Sequence, residues 1–167
     1  MLKKHSGIIL VLIFSMVIII FSNLQNIISG DNCDQISSGD NLTEGALNLL
    51  LINASRQRIL LRDLLSCREY TWVYVFSPQC PACKIVSDNI REEISDRLIG
   101  LALAEQPIPS IHKMDIHHGI SIYYVKPSQA ISMGICSVPY LTKISRQGKI
   151  LDAISSYKPV LNKIREL

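Results

Sequence analysis

Apolar and polar positions divide the chain into a long uncharged N-terminal stretch, a polar stretch, and a series of short periodic segments. Thr71–Phe76 (TWVYVF) is aromatic and β-branched, which predicts a buried strand. Past a Pro-punctuated loop, Ser77–Cys83, apolar residues at Ile85, Ile90, Ile94 and Leu98 follow helical spacing, so a helix is expected through Leu98. Leu98–Ala104 (LIGLALA) predicts a second buried strand and Ile120–Val125 a third. Pro127–Gly134 suits a short helix. Tyr140–Ser145 and Lys149–Ile154 read as a hairpin turning at Arg146-Gln147-Gly148, and Pro159 sits in the first turn of a final helix, Val160–Leu167. Upstream, Asn41–Ile52 fits helix or strand, and Arg56–Leu65 a short strand or turn leading into a short helix.

Strand, helix, strand, crossover, hairpin and helix make an α/β layout with a mixed central sheet flanked by helices. The 167 residues suffice for one ordinary domain and an extension, not for two full domains. The expected division is an N-terminal anchor over residues 1–28, a linker and extension over 29–54, and the α/β domain over 55–167. Ser29–Asp40 (SGDNCDQISSGD) has the composition of a flexible linker.

Gly7–Phe21 (GIILVLIFSMVIIIF) carries no charge and no polar face, which argues against a buried core helix. Fifteen residues span only about 22 Å of a hydrocarbon core of roughly 30 Å. Extension to Ile28 brings the segment to spanning length with Ser22, Asn23, Gln25 and Asn26 at headgroup level. Lys3 and Lys4 precede it and no Lys or Arg follows until Arg56, so the positive-inside bias puts the rest of the chain outside the cytoplasm. An uncleaved signal anchor and a cleaved signal peptide both fit; bulky Ile28 before Ser29-Gly30 favours the anchor. The expected location is the extracytoplasmic face of the cell's inner membrane, where disulfides persist.

Seventeen Lys and Arg against fourteen Asp and Glu give a net charge of +3, too mild and too dispersed for nucleic-acid binding. Five cysteines are too few for a disulfide-dense scaffold.

Two of them, in Cys80-Pro81-Ala82-Cys83, fall at the expected strand-to-helix junction. Three apart at a helix start, they can close a small disulfide. Cys80 then faces first-turn N–H groups and the positive end of the helix dipole, both favouring the nucleophilic thiolate. Cys83, one turn in, is the less exposed resolving thiol. Pro81 suits a first helical turn, and Lys84 adds positive charge. A static disulfide or half a zinc site are the structural alternatives. Zinc needs two further ligands; adjacent His117 and His118 would point apart, and no second C-x-x-C exists. No metal and no cofactor are expected.

Val138-Pro139-Tyr140 enters the first hairpin strand opposite this loop. A cis proline there would aim the preceding backbone at the dithiol, where an extended client segment can pair with it. The alternative is an ordinary turn proline.

Trp72–Lys84 (WVYVFSPQCPACK) followed by Gly134–Ile150 (GICSVPYLTKISRQGKI) resembles the thioredoxin superfamily. The resemblance covers roughly Ser55–Leu167 and is greatest to membrane-anchored TlpA/ResA-like members, in particular the MauD-type accessory proteins of methylamine utilisation. It implies a thioredoxin fold, thiol–disulfide exchange at Cys80 and Cys83, a cis-Pro139, and client contacts at Pro81, Ala82, Val138 and Pro139. The sequence departs from the family at three places. Gln79 stands where a Trp usually precedes the first cysteine, Tyr74 where thioredoxin has a buried acid, and Val86 where ResA-like proteins have a Glu. No proton acceptor for Cys83 is therefore identifiable. Glu105, at the end of the second expected strand, is a candidate, set against a solvated strand end.

Cys136 lies three residues before Pro139 and reads as a bridge, a small filler or a third redox thiol. Cys33 and Cys67 pair with it, with each other, or stay free, and at least one of the three is unpaired. His112, His117 and His118 fall in a polar stretch and read as solvated loop residues. The expected function is thiol–disulfide oxidoreduction on client proteins carrying thiols or disulfides, such as cytochrome c or dehydrogenase subunits, with a membrane electron donor or acceptor. The alternative is a non-catalytic binding or assembly module whose C-x-x-C is structural.

Overall fold

The computed structural model describes residues 33–108 and 119–167. The anchor expected over residues 1–28 and the three loop histidines lie outside the described residues. Among the described residues no helix is long and apolar enough to cross a membrane.

The compact unit that carries the sheet runs from Asp34 to Leu167. Its elements are α1 (Glu44–Leu47), β1 (Leu50–Asn53), β2 (Arg58–Leu60), α2 (Leu61–Ser66), β3 (Tyr70–Phe76), α3 (Pro81–Ser87), a 3-10 turn (Glu92–Arg97), β4 (Leu98–Leu103), β5 (Ser121–Val125), α4 (Pro127–Ser132), β6 (Tyr140–Ser145), β7 (Ile150–Ser155) and α5 (Tyr157–Glu166). Among the described residues seven strands form one sheet in the order β2-β1-β5-β4-β3-β6-β7. β3, β4 and β5 are mutually parallel, whereas β1, β2, β6 and β7 join antiparallel. The expected mixed sheet is therefore present, with its parallel strands in the middle.

Strand periodicity splits the core between the two faces of the sheet. Val73 and Val75 point to one face, with Leu51, Leu61, Leu65, Leu101 and Ile144. Trp72, Tyr74 and Phe76 point to the other, with Cys83, Val86, Ile122, Leu141, Val160 and Ile164 from the strands, α3 and α5. β3 is buried along nearly its whole length, as a central strand covered on both faces must be.

Two expectations are corrected. The helix after the cysteines ends at Ser87 instead of continuing to Leu98. Asp88 caps it, and the Asn89 side chain donates to the Ile85 carbonyl at 2.9 Å, an option that Asp and Asn offer in competition with the helical ladder. Ile90 and Ile94 are still buried, so their helical spacing records packing on the core by two short segments. Residues 34–54, set apart above as linker and extension, belong to the same compact unit. Ile36 N–H donates to the Gly134 carbonyl at 2.8 Å, and Leu42 N–H to the Gly148 carbonyl at 2.9 Å. Leu42, Ala46, Leu49 and Leu51 are core residues, and β1 pairs with β5. Gly134 permits the approach of residues 34–36: its φ is +76°, and a Cβ there would stand 3.0 Å from both the Asp34 carbonyl oxygen and the Ile36 Cβ.

Candidate active site

β3 delivers the chain into the loop Ser77–Gln79, and α3 starts immediately after it. Cys80 is the N-cap residue, with extended backbone (φ −84°, ψ 111°), and Pro81 opens the helix. The Cys80 sulfur accepts the backbone N–H of Cys83 at 3.1 Å. This is the satisfaction of an orphan first-turn donor that a capping oxygen would ordinarily provide. Pro81 lacks an N–H at a position where none would be bonded, so the sequence costs the helix nothing there.

The two thiols differ in exposure. Cys80 is partly exposed, whereas Cys83 is 1% exposed and packed among Tyr74, Val86 and the apolar residues of α5. Burial pushes the Cys83 thiol up to about 12, and its hydrogen bond to Cys80 acts in the same direction. Pro81 is exposed and Ala82 half-buried beside them.

Pro139 reaches this place through the sheet. β6 runs antiparallel to β3 with Val75 opposite Tyr140, so Pro139 stands just across from Phe76, the last residue before the cysteine loop. The Val138–Pro139 peptide is cis. Val138 is half-buried and packs against the same apolar cluster as Cys80 and Cys83. Cys80, Pro81, Ala82 and Cys83 thus follow the end of β3, and Val138 and Pro139 precede the start of the neighbouring strand β6.

Glu105 is elsewhere. It is exposed and pairs with Lys126 at 3.6 Å beyond β4, and it is not among the groups acting on Cys83. The residue that does reach Cys83 is Tyr74, noted above only as a departure. Its buried hydroxyl donates to the Cys83 carbonyl at 2.9 Å. Burial raises the Tyr74 hydroxyl far above the ordinary phenol value, and the neighbouring Cys83 adds to this. Ser87, 1% exposed, lies one turn further along α3 with its hydroxyl in no full hydrogen bond, yet close enough to favour the ionised form of Tyr74. Alternation along TWVYVF placed Tyr74 on the face of Trp72 and Phe76, but nothing in the pattern paired its hydroxyl with a backbone carbonyl nine residues on.

Cys33 and Cys136 are disulfide-bonded, and Cys67, Cys80 and Cys83 are free thiols. Cys67 is therefore the unpaired one of the three outlying cysteines, and it is exposed at the end of α2. Among the described residues no cluster of three or more His, Cys, Asp or Glu side chains could hold a metal ion.

No protein-family model matches the chain, and no curated protein is similar to it in sequence. Solved structures do resemble it. The thioredoxin domain of a thiol-disulfide oxidoreductase from Bacteroides vulgatus superposes with a TM-score of 0.59 at 12% identity, covering 79% of this chain and 98% of that one. A secreted Mycobacterium tuberculosis disulfide oxidoreductase homologous to E. coli DsbE gives 0.54 at 9% identity, over 75% of this chain and 100% of that one. A cysteine mutant of Xylella fastidiosa PrxQ gives 0.54 at 16%, over 79% and 97%. These likenesses establish a thioredoxin-like α/β fold.

Proposed function

We propose that the protein is a thiol–disulfide oxidoreductase acting on client proteins outside the cytoplasm, tethered to the membrane through residues 1–28. The observation that carries this reading is the asymmetry of the pair: a partly exposed Cys80 sulfur receiving the Cys83 N–H at 3.1 Å, and a Cys83 thiol held back in the core. A nucleophile must meet its client and a resolving thiol must not, and an N–H aimed at a sulfur suits one that carries negative charge.

In the reductive direction the Cys80 thiolate attacks one sulfur of a client disulfide. The client's other sulfur leaves as a thiolate and takes up a proton. Cys83 then attacks Cys80, the Cys80–client bond breaks, and the client departs as a dithiol while the pair is left as a disulfide. The reverse sequence oxidises a client dithiol. Either way a membrane electron donor or acceptor restores the pair. Pro81 and Ala82 on one side and Val138 and Pro139 on the other flank the attacking sulfur and are the client contacts in this reading. Disulfide-bonded Cys33 and Cys136 support an oxidising compartment. The stretches Trp72–Lys84 and Gly134–Ile150 favour TlpA/ResA- and MauD-like assembly work, with cytochrome c or dehydrogenase subunits as clients.

The test uses full-length protein in its membrane, with Cys67→Ser throughout to remove the exposed spare thiol. Cys83→Ser should accumulate mixed disulfides with clients, seen as reducible adducts on non-reducing gels. Cys80→Ser/Cys83→Ser should accumulate none. Absence of Cys80-dependent adducts would overturn the catalytic reading. Client capture retained by the double variant would favour a binding module instead.

A further inference from the structure

Exchange through a buried thiol raises a question of charge. To attack Cys80, the Cys83 sulfur must become an anion within the apolar cluster that also holds Val86, Leu161, Ile164 and the β3 ring side chains. An unaccompanied charge there is costly, and an ordinary remedy is a hydrogen-bond donor close by. Among the described residues of that cluster, the titratable side chains besides Cys83 are Tyr74 and Tyr124, with Cys80, Tyr70 and Tyr157 packed against it. None carries a fixed charge. Lys143 is placed over the Tyr70 ring at 3.8 Å, on the hairpin side, and Lys163 5.8 Å over the Trp72 ring. Tyr124 directs its hydroxyl to the Ile108 carbonyl at 3.4 Å.

Tyr74 is different. Its hydroxyl already sits on Cys83, donating to the carbonyl oxygen at 2.9 Å, and a hydroxyl hydrogen can rotate to suit a new acceptor. The ring is fixed by stacking on Phe76, with centroids 5.2 Å apart and planes inclined by 14°. Behind it the Ser87 hydroxyl is buried and has no hydrogen bond of its own. A buried hydroxyl left without a partner in one state is a group available to gain one in another.

We propose that Tyr74 is the side-chain hydrogen-bond donor that stabilises the Cys83 thiolate during resolution, beside the Ser77 backbone, its hydroxyl turning from the Cys83 carbonyl to the Cys83 sulfur while Ser87 donates to the Tyr74 oxygen. This rests on the exchange chemistry proposed above and names the residue that serves its second step. The balance is closed: Cys83 gives its proton to water and forms the bond to Cys80, the Cys80–client bond breaks, and the departing sulfur leaves as a thiolate that takes up a proton from water. Tyr74 remains a phenol throughout. In agreement, the Tyr74 hydroxyl favours the ionised form of Cys83, as the Ser77 backbone does more strongly, both against the larger opposing effect of burial.

The experiment reads the two steps separately. In full-length Cys67→Ser protein, an aromatic disulfide reagent that releases a coloured thiolate reacts first with Cys80, releasing one equivalent. Attack by Cys83 on the Cys80 mixed disulfide releases the second. Tyr74→Phe should slow the second release about tenfold or more relative to the first, and Ser87→Ala should slow it by less. The deficit should hold at every pH well below about 12, where Cys83 is mostly protonated with or without Tyr74, and close only as pH passes that value. Thiolate absorbance of Cys83 in a Cys80→Ala background, with and without Tyr74→Phe, gives the same comparison free of any exchange step. An unchanged second release and an unchanged Cys83 titration in a folded Tyr74→Phe protein overturn the proposal. If client adducts are missing while both reagent steps and the Tyr74 effect stand, the client reading fails and the assignment of Tyr74 does not.

Discussion

The Tyr140 hydroxyl donates a 2.9 Å hydrogen bond to the backbone carbonyl of Ile36, 104 residues away in the chain. Tyr140 directly follows Pro139, so this bond ties residues 34–40, a strap ahead of α1, to the start of β6. A second tie lies beside it, where the Gln35 side-chain oxygen accepts the Cys136 N–H at 3.3 Å. The strap therefore braces the segment that leads into the cis-proline, and Tyr140→Phe tests the brace. Loss of the bond leaves the Ile36 carbonyl without that donor, and about 1 kcal/mol of stability should go with it. Limited proteolysis should cut residues 34–40 faster in the variant, with the cleavage sites read by mass spectrometry. An unaltered cutting rate would mean the strap is held by its backbone contacts alone.

Gly100 in β4 stands opposite Tyr74 in β3. A Cβ at this position in β4 would approach the Phe76 ring and the Ile122 side chain, each at 3.2 Å. Both neighbours are buried, so neither yields freely. Gly100→Ala should destabilise the protein by about 1–3 kcal/mol through overpacking, shown by a lower denaturant midpoint at unchanged slope. Because Phe76 stacks on Tyr74, the same change should move Tyr74 and alter its near-ultraviolet signal. A variant as stable as its parent would show that the Phe76 ring has room to shift.

The legible part of this fold is the part written in local pattern. TWVYVF declared a strand covered on both faces, C-x-x-C marked the strand-to-helix junction, and Arg146-Gln147-Gly148 marked the hairpin turn. Contacts between distant backbone groups were not legible. The strap is polar in composition and reads as a linker, yet it is secured by bonds such as Gly39 N–H to the Ile150 carbonyl, which involve no side-chain signature. The helix end at Ser87 was hidden for a different reason. Ile90 and Ile94 kept helical spacing because both face the same core, and only the Asn89 side chain reveals the break. In the site, both cysteines and Pro139 were visible as motifs. Tyr74 was visible only as an oddity, since its partner is a carbonyl that any residue at position 83 would supply.

The buried thiol makes alkaline stability a readout of the site. A cysteine in an unfolded chain ionises near 9.0, whereas folded Cys83 is pushed up to about 12 by burial. Between those values the unfolded chain has released a proton that the native protein still holds. Stability from this group is thus complete below about pH 9 and lost as pH rises through about 12. Tyr74 and Tyr140, both raised by burial above 10.0, act in the same sense at higher pH. Reduced Cys67→Ser protein should therefore lose stability steeply from about pH 9 to about pH 11, measured by urea unfolding at each pH. Adding Cys83→Ala removes one of the contributing groups and should flatten the curve near its lower end, where the tyrosines are still protonated in both states. Parallel curves for the two proteins would mean that Cys83 reaches water in the native state, and its role as the withheld, resolving thiol would fail with that result.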